Sequence, residues 1–335
     1  MARMSSAGFA VPFFALLALY PLTGGQYGLD LLTKIMVFAV LALSLELLVG
    51  TTGLVSFGQA ALFGVGAYAA VQLSIAAPDA SPWWLLPAAV AAGAAYALFM
   101  GSLSLRTRGV YFIMVTLAFA QLAYYVIHDT PLGGGTDGIY LSAKPVLSIA
   151  GREWLDLSQA QHFYFFTLSS LLLVYVFLAV LLRSRFGRAL AGIKANEQRM
   201  RATGFSTYPY KLAAFVLSGA IAGFAGFLFA IKDGYVNPEL LSWHMSGVVL
   251  VMIILGGLGR LQGPLVGAFA FALLQELFKS ESLFGAYAKN WHLGLGLVII
   301  FCVASMPNGL VGVPAQLRQR LAGMRKPIGV RDEPA

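Results

Sequence analysis

The side chains best able to do chemistry in this sequence are polar residues set inside long apolar runs. Glu46 stands in Leu43-Ser44-Leu45-Glu46-Leu47-Leu48, and Glu276 in Leu274-Gln275-Glu276-Leu277. A carboxylate in hydrocarbon costs about 2.5–3.5 kcal/mol, so such a group faces a bundle interior or a water-filled path. Glu46 therefore reads as a pathway-lining or gating group, as a hydrogen-bond partner for Ser, Thr or backbone of a neighbouring helix, or as a protonated acid. Glu276, close to the end of its run, reads as a surface carboxylate or a partner of Lys279. Ser56, Gln59, Thr116 and Gln121 are neutral polar residues in apolar surroundings. They suit transient hydrogen bonds to a passing polar solute, and equally bonds from helix to helix, worth about 0.6–2 kcal/mol.

Bond-making chemistry finds no support. The sequence has no G-x-x-x-x-G-K-[ST], H-E-x-x-H or G-x-S-x-G pattern and no paired cysteines. His128, His162, His244 and His292 fall near the ends of apolar runs, where they read as interfacial residues. No convergent cluster of acids, His and Cys suggests a membrane enzyme.

These polar groups need elements to hold them. Of 335 residues, 59% are hydrophobic and 11% charged, against about 25% charged in soluble domains. That balance excludes an ordinary soluble enzyme, a disordered chain and, with Cys302 alone, a disulfide scaffold. The net charge of +8 lies between apolar runs, the pattern of loops that orient a membrane protein rather than of a nucleic-acid surface. Ten apolar segments stand out: about 9–22, 29–50, 53–75, 83–105, 110–128, 162–182, 211–231, 246–258, 263–279 and 291–306. Hydrocarbon offers the backbone no partners, so these should be helices. The first follows Arg3 without an A-x-A-like cleavage site and reads as a retained helix. The 246–258 run is short and should be tilted, broken or re-entrant. The expected fold is thus an all-α polytopic membrane protein of about ten transmembrane or re-entrant helices.

Basic residues set the expected orientation. The 183–211 stretch carries seven Lys and Arg against Glu197, and the tail carries Arg318, Arg320, Arg325, Lys326 and Arg331. Placing both inside, with ten alternating spans, puts 16 of the 22 basic residues inside and 9 of the 14 acids outside. Both termini are then cytoplasmic. The chain divides into a transmembrane domain, 1–315, and a basic cytoplasmic tail, 316–335. The outer loop 129–161 contains Gly133-Gly134-Gly135-Thr136-Asp137-Gly138 and reads as a solvated loop or a docking or gating surface, with Tyr140 and Trp154 suited to the membrane surface.

Gly58-Gln59-Ala60-Ala61-Leu62-Phe63-Gly64-Val65-Gly66-Ala67 and Leu261-Gln262-Gly263-Pro264-Leu265-Val266-Gly267-Ala268 each follow a glycine-containing break. They suggest a two-fold internal repeat, whose interrupted helices would mark the pathway. In the loop 183–210, Ala189 to Ala202 favours a helix that Gly204 can stop. Leu190, Ile193 and Met200 lie near one face. That face could enter the groove of a soluble partner or lie on anionic lipid.

Four stretches carry a family resemblance: Thr52-Gly53-Leu54-Val55-Ser56-Phe57-Gly58-Gln59 running on to Tyr68, Arg108-Gly109-Val110-Tyr111-Phe112 on to Phe119, Gly134-Gly135-Thr136-Asp137-Gly138-Ile139, and Ser184-Arg185-Phe186-Gly187-Arg188-Ala189 on to Gly204. Gly256-Gly257-Leu258-Gly259 with Gly263-Pro264 also fits. The chain resembles the inner-membrane permeases of branched-chain amino acid ABC importers, of the LivM type. The resemblance implies a second, LivH-type permease, two cytoplasmic ATPases and a periplasmic solute-binding protein. It makes 188–204 a coupling helix, with Arg188, Lys194, Asn196, Glu197, Arg201 and Gly204 engaging an ATPase, and it places Glu46, Ser56, Gln59, Thr116 and Gln121 toward the pathway. ATP and Mg would sit on the partner ATPases, with no cofactor bound by this chain. The family often has Asn at the position of Glu46 and His at that of Gln59, so the solute remains open: branched-chain or other neutral amino acids, urea, amides or small organic acids. A transporter or channel working alone is the competing class.

Overall fold

The computed structural model describes residues 6–22, 25–77, 82–142, 146–149, 152–280, 284–306 and 308–313. The basic tail, 316–335, and Arg3 lie outside them, as does the side chain of Trp154. Every apolar segment is helical: α1 Ser6–Leu19, α2 Gln26–Glu46, α3 Gln59–Ala76, α4 Pro82–Ser104, α5 Val110–Asp129, α6 Ala160–Arg183, α9 Thr207–Asp233, α10 Trp243–Gly256, α11 Gln262–Lys279 and α12 Trp291–Ser305. Two short helices, α7 Arg185–Ala195 and α8 Glu197–Ala202, fill the connection before α9. Among the described residues, six helical segments are long and apolar enough to cross a membrane: Gln26–Thr52, Gln59–Ala76, Trp84–Ser104, Val110–Asp129, Ala160–Arg183 and Thr207–Asp233. Gly8–Leu22, Trp243–Gly256 and Trp291–Ser305 are shorter. At about 1.5 Å per residue, the 14 residues of α10 fall short of a ~30 Å hydrocarbon layer.

The helix α2 is the central post. From Ile35 to Glu46 it is buried almost without interruption, which fits a sequence that is apolar all round rather than along one stripe. Around it, α3, α4 and α9 meet along glycines. A methyl group on Gly66 of α3 would stand 2.4 Å from the Cα of Gly223 in α9, and one on Gly93 of α4 would stand 2.5 Å from the carbonyl oxygen of Gly219. Small residues allow backbones to touch in this way, and dispersion then replaces the hydrophobic drive that lipid removes. The pair α10 and α11 repeats the device, with Gly267 of α11 set against the carbonyl of Met252.

Two departures from the sequence reading concern helix ends. The segment expected to be helical from 53 starts only at Gln59. Its predecessor closes in a π-helical turn, Leu47–Thr52, capped by Gly53 in the left-handed region, φ +73°. The non-helical 53–58 stretch and the first turn of α3 take partners from elsewhere: Thr116 Oγ1 accepts from Phe57 N at 3.2 Å, and Ser246 Oγ of α10 accepts from Ala60 N at 3.0 Å. The second departure splits the helix expected over 189–202. Asn196 turns extended, φ −162° and ψ 100°, and its side chain accepts from Arg199 N at 2.9 Å. An Asn that caps the next helix competes with continuation of the one before.

The outer-loop region folds as two small antiparallel pairs. The strand β2, Val146–Ile149, pairs with β3, Arg152–Asp156. The strand β1, Ile139–Tyr140, pairs with β4, Tyr235–Val236, joining the segment after α5 to the segment after α9. Tyr140 and Tyr235 pack with ring centroids 4.8 Å apart.

Candidate functional site

At one end of the bundle the finish of α2, the α7–α8 unit and the turn between α10 and α11 converge. Glu46 is 1% exposed. Its Oε1 accepts from the Gly259 backbone N–H at 2.7 Å, while its Oε2 meets no donor among the described residues. Gly50, one turn on, lies so close that a methyl group there would strike Oε1. Lys194 of α7 donates to the Gly50 carbonyl at 2.7 Å. The breaks that precede the two similar segments therefore abut, Gly50 and Gly53 on one side and Gly257 to Arg260 on the other.

The apolar face of α7 is already occupied. Leu190 is 0% and Ile193 3% exposed, packed into this chain's own core, and Met200 of α8 folds back on Gly192. This corrects the expectation that the face enters a partner's groove: the residues left outward are Arg185, Arg188, Ala191, Lys194 and Ala195. Glu197 also turns inward. It accepts from Arg201 Nη2 at 2.6 Å, Thr207 Oγ1 at 2.9 Å and Lys211 Nζ at 2.5 Å. Partial burial works against its charge, yet the bonds from Lys211, Thr207 and Arg201 outweigh it and hold the carboxyl at about 2. Gly204 closes α8 with φ +87°.

The polar residues between the helices divide into two groups. Gln59 is fully buried, and its Nε2 donates to Ser44 Oγ at 2.6 Å and Ser218 Oγ at 3.0 Å. Ser218 Oγ donates in turn to the Ser44 carbonyl at 2.7 Å. The knot ties α2, α3 and α9 together. Ser56 Oγ accepts from Gly58 N at 3.1 Å, and Thr116 is buried against the same break. In this conformation these residues hold helix to helix. Gln121 stands apart at the other end. It lines a cavity of about 640 Å³ with Tyr124, Asp233, Tyr235, Glu239 and Trp243. Ser44, Ser218 and Ser246 escaped the sequence reading, because a serine in an apolar helix shows no sign of which neighbour it will meet. Of the two readings of Glu276, the Lys279 pair is not formed: the Tyr27 hydroxyl donates to the acid at an exposed position, while Lys279 sits 4.5 Å over the Trp291 ring.

Comparison with known proteins agrees with this architecture. The model of the family described as "Branched-chain amino acid transport system / permease component" matches residues 27–304. The high-affinity branched-chain amino acid transport system permease protein LivM of Escherichia coli K12 is 32% identical over 322 residues, covering 90% of this chain and 74% of LivM. The LivM of Salmonella typhimurium is 31% identical with the same coverage. The high-affinity branched-chain amino acid transport system permease protein LivH of Escherichia coli K12 is 22% identical over 83% of this chain and 92% of LivH. No solved structure matches the chain. A bundle of apolar helices knotted by buried serines and glycines, aligned over nearly its whole length with these permeases, belongs to the permease-component family of branched-chain amino acid transport systems.

Proposed function

We propose that this chain is one of two related permeases of an ABC importer that brings branched-chain or other neutral amino acids across the bacterial inner membrane. The observation that carries the reading is the pairing of near full-length similarity to LivM with a basic helix, α7, whose apolar side is anchored in the bundle and whose Arg185, Arg188 and Lys194 are exposed on the other. The partner permease is of the LivH type. Two ATPases dock on the outward face of α7 and α8, around Arg188, Lys194 and Asn196, and a periplasmic protein delivers the solute to the opposite end. ATP and Mg belong to the ATPases. Both termini are cytoplasmic, and the ten helices cross or re-enter the membrane in the order that the basic residues set. ATP binding draws the two ATPases together, α7 passes on the displacement, and the solute crosses between the two permeases by alternating access.

The alternative solutes within the same mechanism are urea, amides and small organic acids. Glu46 and Gln59 support keeping them open, since the family often has other residues there. ATP-dependent uptake by the reconstituted complex, measured over a panel of these solutes, tests the reading. Uptake of leucine, isoleucine or valine that requires ATP and the binding protein is the expected result. Uptake by this chain alone in liposomes refutes it in favour of an autonomous transporter or channel.

A further inference from the structure

The Glu46 carboxyl is the one acid of α2's buried half, and nothing in the proposed cycle uses it. Its surroundings give it a task. One oxygen holds the Gly259 amide, which lies 213 positions away in sequence. The same carboxyl packs on Gly50, the residue whose carbonyl receives the Lys194 ammonium. Gly50 belongs to the π-helical turn Leu47–Thr52, and π-turns accommodate shifts of register that a regular helix resists. Beyond Gly259, a cavity of about 300 Å³ opens, lined among others by Leu258, Gly259, Arg260, Cys302 and Asn308. The turn that Glu46 holds thus has room to move once released.

We propose that Lys194 and Glu46 are positioning residues of a single relay. Lys194 fixes the π-turn at the end of α2, the turn fixes the Glu46 carboxyl, and the carboxyl fixes the turn between α10 and α11. A displacement of α7 is then felt at Gly259, on an element that α7 itself does not hold. The transport consequence rests on the importer reading, in which α7 is the part that the ATPases move. The mechanical linkage does not.

The relay can be tested in the full-length chain in detergent, before any partner is added, by amide hydrogen exchange over Gly257–Leu261. Glu46→Ala removes the acceptor, and exchange there should rise about ten-fold, the loss of one hydrogen bond to the Gly259 amide. Lys194→Met removes the remote tie and should also raise it, by several-fold. The double variant should exceed the larger single change by less than two-fold, because both act through one path. Lys194→Arg keeps a donor and should restore slow exchange. Unchanged exchange at Gly259 in Lys194→Met overturns the linkage, since a merely local role for each contact predicts that. In the reconstituted importer, Lys194→Met should raise the ATP hydrolysed per solute carried by several-fold. Tight coupling in that variant overturns the relay's part in transport. A wild-type chain that binds no ATPase defeats the importer reading instead, and the exchange result on the isolated chain still decides the linkage.

Discussion

Neutralising Glu197 isolates the brace that fastens α8 to the first turn of α9. The substitution Glu197→Gln keeps the size and the Oε1 acceptor but removes the charge that three donors share. The magnitude follows from exposure. The Arg201 side chain is 49% exposed, so its share resembles an ordinary i,i+4 surface pair, about 0.3–0.5 kcal/mol. Lys211 is 13% exposed, and its bond sits in the range for partly buried charged groups, about 1–2 kcal/mol. The carboxyl's displacement from 4.5 to about 2 sets a ceiling of about 3 kcal/mol before solvent screening. A loss of about 1–2 kcal/mol is expected, which multiplies local opening by about 5–30. Amide exchange over Arg199–Lys211 in the purified chain reads that factor, with Arg188→Gln as a control that leaves the brace intact. The acid also sets a pH signature. Its folded value lies below its unfolded one, so the stabilisation is present above about pH 4.5 and fades as pH falls toward 2. In the wild-type chain, protection corrected for intrinsic exchange should fall across that window, and in Glu197→Gln it should stay flat. Equal protection in the two proteins at pH 7 would refute the idea that this network fastens α8 to α9.

Other substitutions probe other joints. Gly223→Val drives a branched side chain into the backbone of α4 at Ala89 and Gly93, and should destabilise the chain by about 3 kcal/mol, read as a drop in melting temperature in detergent. Ser246→Ala strips the acceptor from the Ala60 amide at the start of α3, at a cost of about 0.5–2 kcal/mol in the same assay. On α7, Leu190→Ala empties a fully buried position and should cost about 2–5 kcal/mol. Ala191→Arg, on the outward side, should leave the melting temperature within about 0.5 kcal/mol of wild type yet weaken co-purification of the ATPase subunits at least several-fold.

Sequence made the helices legible because hydrocarbon leaves the backbone a single choice, and a run such as Leu171 to Leu182 announces it. The joints were less legible. Gly53 signals a break, but Leu54-Val55-Ser56 give no sign of how far it runs, since its far end is held by Thr116 and the start of α3 by Ser246, both from other helices. Leu190 and Ile193 were visible as one face, but periodicity says only that a face is apolar, never whose core it enters. Asn196 shows the reverse. Its capping chemistry is local, and weighing it against the helix propensity of its neighbours would have placed the division between α7 and α8.

The glycine seam of α3, α4 and α9 bears on how such a machine can move. Where main chains rest directly on one another, no layer of pliable side chains exists to slip, and sliding by a fraction of an ångström meets hard repulsion. The three helices form a keel, and conformational work done at the end where α7 packs turns the keel as one solid piece instead of being absorbed within it. Flexing is left to the hull around it: the broken ends of α2 and α10, and the lightly packed α5.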